Sequence, residues 1–270
     1  MHKKLPIGIF DSGFGGLSVT KSIHNLLPIE NLIYVADSAF TPYGDLPENE
    51  IVKRSILITE FLVRKKNSKA IVVACNTATA FSINELRKKF NIPIIGMEPA
   101  VKPALKVSLN NRVGVLATSG TSKSTKLSAL LENHLGKARF YVQPCPGLVN
   151  AIEKGIFDDF KLFKLVEKYL ENFKKNDVDT IVLGCTHFIY IKPLIQKIMG
   201  SSISIIETGE AVARQLQSKL VEFNLKEYIS MSTGSTKIIL TGDRKKNITH
   251  VIDQFLLGSN IEFRVEQSWG

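Results

Sequence analysis

Apolar residues along this chain come in short unbroken runs rather than in strict alternation with polar ones. Pro6 to Phe10, Leu32 to Ala36, Ala70 to Ala74, Pro93 to Gly96, Val113 to Ala117, Phe140 to Gln143, Thr180 to Gly184 and Ser204 to Ile206 are three to five residues long and rich in β-branched side chains. Segments with helical spacing separate them, and that rhythm predicts an α/β fold with largely parallel sheets. Because the runs show little period-2 alternation, helices should cover both faces of those sheets. Beyond residue 208 the pattern predicts a helix from Glu210 to Phe223, a strand at Lys237 to Thr241, a helix near Ile248 to Leu257 and a last strand at Ile261 to Val265. This tail is expected to fold back onto one half of the molecule.

The chain also resembles itself. Ile71-Val72-Val73-Ala74-Cys75-Asn76-Thr77 matches Ile181-Val182-Leu183-Gly184-Cys185-Thr186-His187, an offset of 110 residues from position 75 to position 185. Upstream, Gly8-Ile9-Phe10-Asp11-Ser12-Gly13 has a counterpart in Gly114-Val115-Leu116-Ala117-Thr118-Ser119-Gly120, and downstream Ile94 to Glu98 is echoed by Ile203 to Glu207. Two copies of so long a unit do not make a solenoid. They predict two similar α/β domains facing each other across a cleft, related by a pseudo-twofold that brings both cysteine-ended strands to one site. Ligands of such sheets bind where the strands end.

Composition narrows the chemistry. A chain of 270 residues, 44% hydrophobic and 22% charged, is ordinary for a folded protein. The apolar run before Asp11 is too short for a signal-peptide core or a membrane span, which predicts a cytoplasmic protein. Three widely spaced cysteines, Cys75, Cys145 and Cys185, form no CxxC pair and no zinc-like cluster, so neither a disulfide framework nor a metal is indicated. The net charge of +10 comes from short clusters such as Arg64-Lys65-Lys66, Arg87-Lys88-Lys89 and Arg244-Lys245-Lys246. These read first as solvated helix faces and secondarily as attraction for acidic ligands or nucleic acid; no aromatic-interleaved basic tract favours the latter.

One cysteine at the end of an apolar strand is more often structural than reactive. Two at matching places in a repeat, each followed by small polar residues and an expected helix, point instead to paired reactive thiols, with the helix N-termini favouring thiolate. A symmetric thiol pair suits inversion at an acidic carbon, where a proton leaves one face and another returns to the opposite face. Asp11-Ser12-Gly13-Phe14-Gly15-Gly16 should form a tight glycine loop that offers N–H groups to a carboxylate, or, alternatively, a packing turn with Asp11 as N-cap. The GxGxxG spacing fails at Ser18, and Lys123 lacks a Walker A pattern, which disfavours nucleotides. His187 is placed to assist Cys185. Thr41-Pro42-Tyr43-Gly44 and Thr118-Ser119-Gly120-Thr121 are turns with hydroxyls and amides to offer. Glu153, within Gly147 to Glu153, reads as a surface carboxylate, and Cys145, between two prolines and without a repeat partner, as a structural thiol.

These motifs resemble the signatures of glutamate racemases: Asp11 to Leu17, Pro42-Tyr43-Gly44, Ala74-Cys75-Asn76-Thr77-Ala78, Glu98-Pro99-Ala100 and Gly184-Cys185-Thr186-His187. The match runs nearly end to end. It implies two Rossmann-like, flavodoxin-like domains, one formed by residues 1–98 completed by 208–270 and the other by 99–207. It implies a cofactor-independent two-base racemase in which Cys75 deprotonates D-glutamate and Cys185 deprotonates L-glutamate. Asp11 would support the first thiol, and His187 and Glu153 the second. Asp11, Ser12, Tyr43, Gly44, Asn76, Thr77, Thr118, Thr121, Thr186 and His187 would hold the ammonium and both carboxylates. Similar enzymes supply D-glutamate for bacterial peptidoglycan, and so for cell-wall biogenesis and cell shape, and are often homodimers. The chain departs from the family at Ile189, where proline is frequent, and at Glu207-Thr208, where Asp-Ser is common; both departures bear on the backbone after Cys185 rather than on the reacting groups.

Two rivals follow. A racemase of aspartate or another acidic amino acid would use the same thiol logic with a pocket cut to a different length. A DNA-associated binding protein, or one that contacts a topoisomerase, is permitted by the charge but supported by no motif. A cysteine hydrolase would leave the second thiol without a purpose.

Overall fold

The runs read as strands are strands. The computed structural model describes residues 2–157, 159–228, 233–243, 245–255 and 263–266. Its strands are β1 Ile7–Asp11, β2 Leu32–Ala36, β3 Ala70–Val73, β4 Ile94–Ile95, β5 Arg112–Ala117, β6 Arg139–Pro144, β7 Thr180–Gly184, β8 Ser204–Ile206, β9 Thr236–Leu240 and β10 Phe263–Glu266. The helices are α1 Leu17–Leu26, α2 Glu48–Glu60, α3 Asn76–Lys89, α4 Val101–Val107, α5 Ser119–Lys123, α6 Thr125–Glu132, α7 Leu148–Ile152, α8 Phe160–Lys175, α9 Lys192–Met199, α10 Gly209–Glu222 and α11 Lys245–Phe255. Leu256 and Leu257 of the last expected helix, Ile261 and Glu262 of the last expected strand and Arg244 of the third basic cluster lie outside the described residues.

Two wholly parallel sheets result, one ordered β10-β9-β2-β1-β3-β4 and the other β6-β5-β7-β8. The second reproduces the β2-β1-β3-β4 portion of the first, so the sequence repeat is also a repeat of topology. In each sheet the connections change direction beside the first strand of the unit, between β1 and β3 and between β5 and β7. A crevice opens at the carboxyl ends of such a strand pair. Those four ends carry Asp11, Cys75, Thr118 and Cys185. The tail packs back as expected: β9 pairs with β2, β10 with β9, and α10 packs along α1.

Both faces of the central strands are covered. Every residue of β1, β3 and β7 is buried, as a parallel sheet between helix layers requires. Each fully buried isoleucine or phenylalanine there contributes roughly 1.5–3 kcal/mol by leaving water. Strand β6 departs from this pattern, being half-exposed along its length because it is the edge of the smaller sheet. Helix α8 buries the stripe Leu162, Val166, Tyr169, Leu170 and Phe173, and starts where the Asp159 carboxylate accepts the Lys161 N–H at 2.9 Å. At the amino ends of the strands, Lys69 and Glu30 form a buried ion pair at 2.5 Å, and Glu30 also accepts the Glu227 N–H at 3.0 Å, which closes the tail over the first sheet. Among the described residues no helix is long and apolar enough to cross a membrane.

Candidate active site

Cys75 ends β3 in extended conformation and is the N-cap of α3, its Sγ accepting the Ala78 N–H at 3.4 Å. Cys185 ends β7 in the same conformation, but the chain continues as a 3₁₀ run, Thr186–Ile191, and α9 begins only at Lys192. The expected symmetric pair of strand–cysteine–helix junctions is therefore realised fully on one side and as a tighter turn on the other. The departure at Ile189 falls inside that turn, whose Phe188, Tyr190 and Ile191 side chains are buried.

The halves meet reciprocally. The loop after β1 contacts the turn after β7: Thr186 donates to Asp11 Oδ2 at 2.8 Å, and Glu153 Oε1 accepts the Phe14 N–H at 3.0 Å. The helix start after β3 contacts the helix start after β5, with Thr77 Oγ1 2.9 Å from Thr118 Oγ1 and 3.1 Å from Thr121 Oγ1. Contacts of the form A-to-B and B-to-A are what a twofold produces. Glycine is required at two places in this seam. A Cβ on Gly13 would collide with Glu153 Oε1, and one on Gly15 would lie 2.5 Å from His187 Nδ1 and 2.6 Å from Thr186 Oγ1. The loop is glycine-rich because the other domain comes this close.

Asp11 is not an N-cap, since α1 begins at Leu17 with Gly16 at the cap. Its Oδ1 accepts the Gly13 N–H at 2.8 Å and the Ser12 hydroxyl at 3.2 Å, which curls the loop around the carboxylate. Burial pushes the Asp11 carboxyl above its ordinary pKa; the His187 charge and the bonds from Gly13 and Thr186 pull against it. Tyr34 props the loop from below, donating to the Gly13 carbonyl at 2.6 Å.

Around Cys185, His187 Nδ1 lies 3.9 Å from the sulfur and Nε2 lies 2.6 Å from Glu153 Oε1. Burial by itself would lower the imidazole pKa. The hydrogen bonds to Cys185 and Glu153, with the charges of Glu153 and Asp11, outweigh it and hold His187 well above its usual value. Glu153 is 3% exposed, which corrects its reading as a surface carboxylate. The α7 turn that ends at this residue brings it inward, where a carboxylate is retained only with donors such as His187 and Phe14 N–H.

Cys75 differs from the expectation that its helix N-terminus would favour thiolate. Burial first, then the Asp11 charge and the neighbouring Cys185, push this thiol far up, and the Ala78 and Ser12 N–H groups only partly offset them. Cys145 is buried, its Sγ 3.4 Å from the Gln143 carbonyl, in keeping with a structural thiol.

The remaining predicted residues gather here too. Asn76 is 3% exposed and both its amide atoms lack a protein partner, leaving a donor and an acceptor for a ligand. Tyr43 is buried and Gly44 lies against Thr118, whose Cβ would be 2.6 Å from a Cβ at Gly44. Asp37 and Arg54, which adjoin this turn, were not singled out by the sequence reading. A signal existed: on α2 an arginine occupies the buried stripe Ile51, Arg54, Ser55 and Ile58. Among the described residues no three His, Cys, Asp or Glu side chains are grouped to hold a metal ion.

Twin parallel α/β units, each with a cysteine at its switch point and joined through a buried acid–threonine and acid–histidine seam, define a class, and the chain belongs to the Asp/Glu/Hydantoin racemase family, whose sequence profile matches residues 7–216. Within it the chain groups with the glutamate racemases. It is 49% identical to a glutamate racemase of Ectopseudomonas mendocina over 83% of this chain and 85% of that one. A glutamate racemase isoform from Bacillus anthracis superposes with a TM-score of 0.85 at 30% identity, over 98% of each chain. The Francisella tularensis glutamate racemase in complex with D-glutamate superposes with a TM-score of 0.83 at 28% identity, covering 99% of this chain and 98% of that one.

Proposed function

We propose that this protein interconverts L- and D-glutamate without a cofactor, through proton transfer by Cys75 on one face of the α-carbon and Cys185 on the other. The observation that carries the reading is the placement of the two cysteines at equivalent strand ends on opposite sides of one reciprocal interdomain seam. The substrate follows from the relatives, which are glutamate racemases, one of them holding D-glutamate. Residues 1–98 with 208–270 form the first domain in this proposal and residues 99–207 the second.

In the D-to-L direction the buried Cys75 thiol must first give up its own proton; as thiolate it then takes the α-proton and becomes a thiol again, while the Cys185 thiol delivers its proton to the opposite face and becomes the thiolate. Each turnover therefore leaves the pair poised for the reverse reaction. The α-carbon acquires negative charge between the two transfers, and the buried, donor-rich seam excludes water from it. His187, held by Glu153, exchanges protons with or orients the Cys185 sulfur; Asp11 stands on the Cys75 side. The empty Asn76 amide, the Ser12 and Thr186 groups, the three hydroxyls of Thr77, Thr118 and Thr121, and the Tyr43–Gly44 backbone are the donors and acceptors proposed to take the ammonium and the two carboxylates. D-glutamate of this origin would serve peptidoglycan synthesis in the cytoplasm.

Chiral assay of L- and D-glutamate and of both aspartate enantiomers, with no cofactor added, tests this. We expect glutamate to racemise, aspartate to be turned over far more slowly, and Cys75→Ala and Cys185→Ala each to lose about a thousandfold or more, in the range for a lost acid–base group. Preferred turnover of aspartate would move the substrate, and undiminished racemisation in either variant would remove that thiol from the mechanism.

A further inference from the structure

Asp37 follows β2 as the residue after Ala36, which pairs with Asp11, and its N–H donates to the Asp11 carbonyl at 2.9 Å. Its side chain is 0% exposed, yet it is fully satisfied. Oδ1 accepts from Arg54 Nη2 at 2.7 Å and from Thr241 Oγ1 at 2.6 Å; Oδ2 accepts from Arg54 Nε at 2.9 Å and from the Tyr43 hydroxyl at 2.5 Å. One carboxylate thus ties together the end of β2, the Tyr43 turn, helix α2 and the end of β9. The Arg54 guanidinium also lies 4.0 Å from the centre of the Phe40 ring, so it holds the 37–43 segment at its start and at its middle.

Stability does not require such a pair, since apolar replacements of buried ion pairs are often at least as stable. A planar two-point fork does specify geometry. What it fixes is the turn that touches the second domain. Beyond Tyr43, Gly44 rests on Thr118, whose hydroxyl meets that of Thr77 two residues past Cys75. There is no space between Gly44 and Thr118 for even one added carbon, so a shift of the Tyr43 side chain is transmitted to the hydroxyl group cluster.

We propose that Arg54 is a positioning residue for substrate binding, acting through Asp37 to hold Tyr43 and thereby the Tyr43–Gly44 turn against Thr118. The inference rests on the racemase reading above. It assigns Arg54 to affinity for the amino-acid substrate and not to proton transfer.

Steady-state kinetics of Arg54→Lys in both directions, beside the wild type, test it. Lysine keeps the charge and loses the fork. We expect KM to rise about tenfold, the scale of one charge-assisted hydrogen bond, by the same factor for both enantiomers. We expect kcat and the α-deuterium isotope effect on kcat to stay within about twofold, because the thiols are untouched. Tyr43→Phe, which keeps the ring and removes the hydroxyl that meets Asp37 and Arg54, should raise KM in the same way, and the double variant should rise no further than Arg54→Lys alone. Should Arg54→Lys fail to fold, Tyr43→Phe carries the test. An unchanged KM in Tyr43→Phe, multiplicative effects in the double variant, or a fall confined to kcat overturns the inference. An inactive wild type overturns the racemase reading instead.

Discussion

At the residue scale, the two thiols occupy equivalent positions but different surroundings. Asp11 and Ser12 stand beside Cys75, whereas His187 and Glu153 stand beside Cys185, and the residue equivalent to His187 in the first half is Thr77. Glu153 Oε1 serves two donors, the Phe14 N–H and His187 Nε2, and so couples the imidazole to the glycine loop. Glu153→Gln keeps the shape and removes the charge. The His187 pKa should then fall toward its ordinary value, which an NMR titration of the imidazole carbon measures directly. A raised histidine contributes stability that is complete below the unfolded pKa of about 6.5 and is lost as pH rises through the folded pKa. The variant should lose this contribution at lower pH than the wild type. Enantiomers have equal free energy, so kcat/KM must drop by one factor in both directions, about tenfold or more for an impaired proton-transfer group. The asymmetry should emerge in the isotope effect, which grows for α-deuterated L-glutamate, the enantiomer that Cys185 is proposed to deprotonate.

At the element scale, much was legible. Leu32–Ala36, Thr180–Gly184 and Ser204–Ile206 were bounded correctly because unbroken β-branched runs between polar turns leave few alternatives. The junctions were less legible. Nothing local distinguishes the α3 start at Asn76 from the 3₁₀ run at Thr186, since the turn packs on α7 of its own half and on α1 of the other, both distant in sequence. Asp179 shows how a junction is built. Its carboxylate accepts the Ser108 hydroxyl at 2.6 Å and the Leu109 and Asn110 N–H groups at 2.7 and 2.8 Å, locking the loop before β5 to the start of β7. Partial burial would raise its pKa, but these bonds outweigh burial and lower it. A lowered carboxyl contributes stability that is present above its unfolded pKa of about 3.9 and lost as pH falls through the folded value. Asp179→Ala should cost about 1–2 kcal/mol in denaturant unfolding at neutral pH. The difference should shrink below pH 4, and a deficit independent of pH would mean that the carboxylate charge is not what holds the loop.

At the scale of the whole molecule, the repeat was visible because two strand–cysteine motifs recur, and the shared strand order confirms it as architecture. The seam between the halves was visible only in part. Thr186 with Asp11 and Phe14 with Glu153 are 175 and 139 residues apart, and no periodicity encodes such pairs. The resemblance to glutamate racemases named these residues. The glycines at 13 and 15 were read as ligand donors, and the structure gives them a second duty as clearance for the other domain. Asp37 and Arg54 escaped notice because each looks like a surface residue until the sheet and α2 are assembled around it.

Two thiols serving two faces would leave their mark in the hydrogen carried by the first product. L-glutamate with protium at the α-carbon is incubated with wild-type protein in deuterated water, and at the earliest measurable conversion both enantiomers are separated and weighed. D-glutamate fully deuterated at the α-carbon and recovered L-glutamate still protiated are expected, since the proton removed by Cys185 stays on that side while Cys75 delivers deuterium from solvent. D-glutamate that retains the substrate's protium would mean that one base works both faces and would remove the second thiol from proton transfer.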